Sequence, residues 1–219
     1  MPNQTDTDVL FVLMYQSNVS FVISDIFTTF ANLQDIFIHD SGLLRIQSNA
    51  VGNANQLIRL RIAENKEFTE IFANAFSGAT NLQNLQLFDN AIEFIDSQAF
   101  SNLHQVTLIN LNGNKLRQLH ENVLSHLPKL QMASFNWNQI EVLPAGLFSN
   151  NDQLIQVGFM DNEINKIEKN ILYPLDTERM NWVFFGGNLC VDTALNFRLM
   201  RIDEMNEILS KCFENFDNL

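Results

Sequence analysis

Side chains capable of chemistry are few in this chain and stand far apart. Its four imidazoles are His39, His104, His120 and His126, and the last three fall in segments that read as irregular returns. No Gly-rich phosphate loop, HExxH or GxSxG motif occurs, and the eight glycines are scattered. The sequence therefore reads as non-enzymatic, with no cofactor and no metal. Cys190 and Cys212 form an isolated pair with no nearby His or third Cys, a poor zinc site. They are either bridged or two buried thiols. One acidic set recurs at near-constant spacing: Asp40, Glu64, Asp89 and Asp161, broken by Gly113 and Trp137. Stacked like charges repel, so their retention points to a basic partner or a cation, against the plainer reading of a solvated acidic rim.

What would position these groups is a repeat. Ser17, Ser41, Asn65, Asn90, Asn114, Asn138, Asn162 and Asn188 mark eight units, with steps of 24, 24, 25, 24, 24, 24 and 26 residues. Ahead of each mark stand three apolar positions, clearest in Leu82, Leu85 and Leu87, and Ile92 follows Asn90. Behind it comes a bulky column of Phe27, Val51, Phe76, Phe100, Leu124, Phe148 and Leu172. Each unit has one short alternating stretch and a return too long for a hairpin, so the strands must stack in parallel. No unit can bury its own apolar side, and stability comes from neighbours. A buried amide has donors and an acceptor to satisfy the backbone where it leaves the strand, so the six Asn marks form a structural ladder. Ser17 and Ser41 have only hydroxyls, which predicts looser packing there.

Alternation along each strand sends the other residues outward. Their rows carry two aromatic clusters: Phe11, Leu13, Tyr15 and Phe37 near the amino end, and Trp137, Met160, Trp182 and Phe184 near the carboxyl end. Large exposed rings are the material of interface hot spots, although rings of this kind also pack on one another. Phe88 and Asp89 join the carboxyl cluster as candidate partner-binding residues. Arg59 and Arg61, beside Asp35 and Glu64, are expected to form local ion pairs.

With eight units in phase over roughly residues 9 to 190, the chain resembles the leucine-rich repeat proteins of the extracellular type. The resemblance implies an α/β curved solenoid, a horseshoe with a parallel β-sheet on the concave face and a mostly irregular convex side. FFGGNLCVDT, at Phe184 to Thr193, resembles the start of an insect-like C-terminal cap, and this implies a Cys190–Cys212 disulfide. The division is then 1–189 for the solenoid and 190–219 for the cap. Leu195, Leu199, Ile202, Met205 and Leu209 fall on one helical stripe, with Asp192 or Thr193 as the cap of its first turn.

Formal net charge is −12 with only 13 Lys plus Arg, which disfavours a nucleic-acid partner. No apolar run is long enough to span a membrane. Asp6 and Asp8 precede a short apolar run, Val9 to Tyr15, which makes a poor secretory signal and a better first strand. That strand is a hydrophobic edge, to be covered by a missing upstream segment, as the resemblance implies, or by another chain. Sequons at Asn3 and Asn18 are glycan acceptors if the chain is secreted. The expectation is an extracellular module that binds a protein partner through its concave face, by analogy in innate immunity. Two alternatives stand beside it: the ectodomain fragment of a receptor or adhesion protein, and a homodimer paired through the open first strand.

Overall fold

A strand forms once per repeat because only five or so residues alternate before the Asn turn diverts the chain. The computed structural model describes residues 8–22, 24–47 and 50–217. In chain order the elements are β1 (Phe11–Tyr15), α1 (Asp25–Thr29), β2 (Asp35–His39), β3 (Arg59–Ala63), β4 (Glu70–Ile71), β5 (Asn84–Gln86) and β6 (Phe94–Ile95). There follow β7 (Leu108–Asn110), β8 (Met132–Ser134), β9 (Val142–Leu143), a 3₁₀ turn (Ala145–Phe148), β10 (Gln156–Gly158), β11 (Lys166–Ile167) and β12 (Trp182–Phe184). The carboxyl end carries β13 (Ala194–Asn196), α2 (Ile202–Ile208) and α3 (Ser210–Asp217).

One sheet runs the length of the molecule in the order β1-β2-β3-β5-β7-β8-β10-β12-β13. Its first eight strands are parallel and in step with the repeat: Leu60 faces Leu85, which faces Ile109, then Ala133, Val157 and Val183. Small two-stranded sheets, β4 with β6 and β9 with β11, form on the returns. The inward residues make one continuous core, in which Phe76 stacks on Phe100 and Phe159 lies between Phe135 and Phe185. The chain is thus a leucine-rich repeat solenoid.

The Asn marks tie each coil to the one before. Asn114 Nδ2 donates to the carbonyls of Leu87 (2.8 Å) and Leu111 (2.9 Å), while its Oδ1 accepts from Ile92 N (3.1 Å). Asn138, Asn162 and Asn188 repeat this pattern one coil at a time. Asn65 and Asn90 form the amino-terminal half of the file, with Asn90 Oδ1 accepting from Asn65 N at 2.9 Å. Looser packing at the serine positions holds for Ser17, which is exposed, and fails for Ser41, which is fully buried. Ser41 Oγ lies 2.9 Å from His39 O and 3.1 Å from Met14 O and accepts from Ser17 N at 3.2 Å, so a hydroxyl with three near partners still fits a closed core.

At the carboxyl end the expected helix starts later than its stripe. Residues Ala194–Asn196 add to β12 as an antiparallel strand, and Asp192 Oδ1 accepts from Gly187 N (2.7 Å) to close the preceding turn instead of capping a helix. Thr193 likewise meets Phe185 through its carbonyl. The reason is the open edge of β12: its unpaired backbone groups outweigh the local helical period. Leu199 consequently sits at 82% exposure, while Met205 on α2 and Leu209 at the turn between α2 and α3 are buried. α2 is preceded by Arg201, whose N–H donates to Glu204 Oε2 at 2.8 Å. The Cys190–Cys212 disulfide, with an S–S distance of 2.05 Å, joins the helical region to the end of the last coil, and Asn215 Nδ2 donates to Asn165 O. Among the described residues no helix is long and apolar enough to cross a membrane.

Candidate functional site

The concave sheet displays the outward rows, and the residues beside them are set by an unusual backbone column. The position just before each mark, occupied by Gln16, Asp40, Glu64, Asp89, Gly113, Trp137, Asp161 and Gly187, has φ between 45° and 78°. Left-handed backbone favours Gly and tolerates Asp, so much of the acidic column has a conformational cause. The breaks have one too. A Cβ at Gly113 would collide with the Asp89 carboxylate, and one at Gly187 would lie 2.5 Å from Asp161 Oδ1. Each glycine makes room for the carboxylate of the coil before it. Partial desolvation, and then the charge of Glu64, raise the pKa of Asp89 above the ordinary carboxylate value. Among the described residues no three acidic, His or Cys groups gather as a metal site would require.

Trp137 is the exception in this column. A bulky side chain in the left-handed region is costly, by about 1–3 kcal/mol, and here it is also 57% exposed. Its N–H donates to Met160 O (2.9 Å), so Met160 follows on the next coil, half-buried. Beyond it Trp182 and Phe184 stack on each other, with centroids 5.6 Å apart and planes 13° from parallel, each keeping part of its surface in solvent. Three consecutive coils thus carry Trp137, Met160 and the stacked pair Trp182 and Phe184, with Trp137 bonded to the coil of Met160 and two coils from the pair. Phe88, half-buried, and Asp89, exposed, lie two coils away from Trp137, roughly 10 Å at the usual strand spacing. Replacing Trp137 by Asn, which tolerates this backbone, should raise stability by about 1 kcal/mol in urea unfolding. A loss of stability would mean that the indole packs.

Between the two aromatic clusters the sheet is polar and tightly bonded. Asn112 Oδ1 accepts from Ser134 Oγ (2.7 Å) and Asn136 N (2.8 Å), and Asn136 Oδ1 accepts from Met160 N (2.7 Å). Gly158 permits this: a Cβ there would lie 2.7 Å from Asn136 Oδ1. This second amide file was not anticipated, and its only sequence signal is Asn112 and Asn136 recurring one repeat apart. At the amino end both arginines turn to one carboxylate. Arg59 Nε donates to Asp35 Oδ2 (2.9 Å) and Arg61 lies 3.2 Å from it, whereas Glu64 pairs with His39 at 3.3 Å. The expected pairing with Glu64 is therefore corrected. Asp35 sits between the two cations across the sheet, out of competition with water.

Two features away from the concave face also escaped the sequence. Leu44, Phe72 and Phe94 are exposed on the flank, the first two beside a cleft that includes Phe21 and Arg45, with Arg45 5.4 Å over the Phe21 ring. His104 and His126 share an open hollow of about 510 Å³ with Ser125, Pro128, Ser149, Asn150 and Asp152. His126 Nε2 is engaged by Gln98 Oε1 at 2.9 Å. Of the sequons, Asn18 is exposed, and Asn3 lies outside the described residues.

Residues 80–140 match the family described as leucine rich repeat. No curated protein matches the chain. Among solved structures it is similar to one described as the crystal structure of a TLR13-ssRNA13 complex, with a TM-score of 0.73 and 21% identity over 82% of this chain. The likeness spans 25% of that longer chain, and at this identity it shows the fold. Sequence match, register and structural likeness agree that this chain has the leucine-rich repeat fold, with the family's own signature in its central coils.

Proposed function

We propose that the chain is an extracellular, non-enzymatic recognition module that binds a protein through its concave face, with a role in innate immunity. The observation that carries this reading is Trp137, exposed in a strained backbone one coil from Met160 and two coils from the stacked pair Trp182 and Phe184. Strain kept at an exposed ring is understandable if the ring serves a contact. The disulfide favours an oxidising compartment, and exposed Asn18 suits a glycan. The cap role of residues 190–219 belongs to the same reading, since β13 pairs with β12 and α3 packs against β11. The structural neighbour's title places RNA on that protein. Here a net charge of −12, with Arg59 and Arg61 the only Lys or Arg in the outward rows, argues for a protein ligand. Because the likeness covers a quarter of a longer chain, the module also suits a segment of a receptor ectodomain.

Affinity capture from extracellular fluid tests the proposal, with the native chain and a variant carrying Trp137→Ser, Trp182→Ser and Phe184→Ser as parallel baits. The native bait should enrich a protein that the variant recovers at least roughly tenfold less, the loss of one or two hot-spot anchors. Equal recovery by both baits removes the site.

A further inference from the structure

We propose that the amino-terminal part of the concave face is a separate subsite for an acidic peptide segment that carries a ring beside its carboxylates. Across the three outward rows of all eight parallel strands, the permanently charged residues are Asp35, Arg59 and Arg61. Two guanidinium groups share one carboxylate that is only 7% exposed, so a single positive charge is left over on a face of a chain with net charge −12. Arg59 commits its Nε–H to Asp35, and with 57% of its side chain exposed it keeps terminal N–H donors free for a second carboxylate.

The surroundings supply the apolar half of the site. Arg61 is fixed over Phe37, 4.8 Å from the ring centroid, and 5.8 Å from that of Phe11. Its Nε is buried without a partner, so the guanidinium is held by stacking as much as by hydrogen bonds. Phe11, Leu13 and Tyr15 are exposed on the adjoining strand, and Tyr15 stacks on His39 at 5.2 Å. The rim carboxylates stand at the far end of the strands: Asp40 and Glu64 lie five residues beyond Asp35 and Arg59, roughly 16 Å at the usual rise and past the screening length at physiological salt, with Glu64 turned to His39 and Asp40 accepting from Gln16 Nε2 at 2.9 Å. β1, β2 and β3 are each five residues long, which makes a shallow platform of roughly 16 Å by 10 Å. Such a platform suits an extended peptide. One surplus charge offsets about one phosphate, too little for a nucleic-acid strand.

The inference rests on the concave-face reading only in taking the partner to be a protein, and it uses none of Trp137, Met160, Trp182 or Phe184. The test is fluorescence anisotropy of the full chain with a labelled Glu-Glu-Tyr repeat peptide, beside Lys-Lys-Tyr and Glu-Glu-Ser repeats and a thymidine oligonucleotide. Saturable binding of the Glu-Glu-Tyr peptide alone is expected. Arg59→Gln should weaken it roughly tenfold, the loss of one charge-assisted pair, and Arg59→Glu should abolish it. Trp137→Ser should leave it unchanged. Arg59→Gln keeps Asp35 paired with Arg61, and an unchanged circular dichroism spectrum verifies the fold. The proposal is overturned by absent binding, by equal binding of the Lys-Lys-Tyr peptide or the oligonucleotide, by an Arg59→Gln variant that binds like the native chain, or by sedimentation showing this face covered in a dimer. Any of these, with the captured partner still lost by the triple aromatic variant, overturns the subsite and leaves the carboxyl cluster standing.

Discussion

Asn114→Ala is expected to cost about 3–5 kcal/mol of folding free energy, among the largest effects of any single substitution on this chain. The side chain is buried, accepts from Ile92 N and donates to the carbonyls of Leu87, Leu111 and Asn112. Alanine strands the Ile92 amide and leaves carbonyls of two coils without a partner, at about 1–3 kcal/mol for each group that water cannot reach. Asn114→Ser should recover part of the loss, because Ser41 shows that a hydroxyl can hold the same turn. Asn188→Ala should cost only about 1–2 kcal/mol, since Asn188 is half-exposed and water can replace it. Urea unfolding followed by circular dichroism decides the matter. If Asn114→Ala and Asn188→Ala lose the same amount, burial is not what gives the ladder its strength.

Positions that depend on their own repeat were legible in the sequence. The alternation around Leu82, Leu85 and Leu87 is local, so strand, inward face and outward face follow from a period of two inside a period near 24. What depends on the neighbouring coil was not. Asp35 drawing in both Arg59 and Arg61 needs the register of β2 on β3, and a choice between two nearby carboxylates. Asn112 and Asn136 read as ordinary outward polar residues until Gly158 is seen to make room for an amide that crosses the sheet.

The acidic column shows the same limit from the other side. Its recurrence was visible, yet repulsion between charges was the only physics a bare sequence offered. The cause is backbone: a left-handed residue precedes every mark, and Gly113 and Gly187 each lie under the Asp of the preceding coil. That frame also changes the meaning of Trp137, which breaks a local rule with no packing gain evident from its exposure. The helical stripe from Leu195 to Leu209 failed for a tertiary reason, because the edge of β12 claimed its first residues.

Phe159→Ala should be comparably damaging, at about 3–5 kcal/mol, with a consequence the ladder substitution does not share. The ring is fully buried between Phe135, 5.4 Å away at 8°, and Phe185, 5.8 Å away at 11°, and it also meets Phe148 at 6.4 Å. Removing it leaves a cavity and breaks two stacked pairs, each contributing about 0.5–1.5 kcal/mol beyond burial. In a solenoid each coil contacts only its neighbours, so the lost energy sits at the junctions of the seventh coil with those on either side. Those junctions connect the amino-terminal coils to the segment closed by the Cys190–Cys212 disulfide. The variant should therefore unfold in two steps, the carboxyl end first, with amide exchange accelerated from β10 onward and nearly unchanged in β2 and β3. Phe159→Leu, which fills most of the space, should cost markedly less and keep one transition. A single cooperative transition for Phe159→Ala, with exchange accelerated evenly over all coils, would show that the stack does not set the coupling between coils.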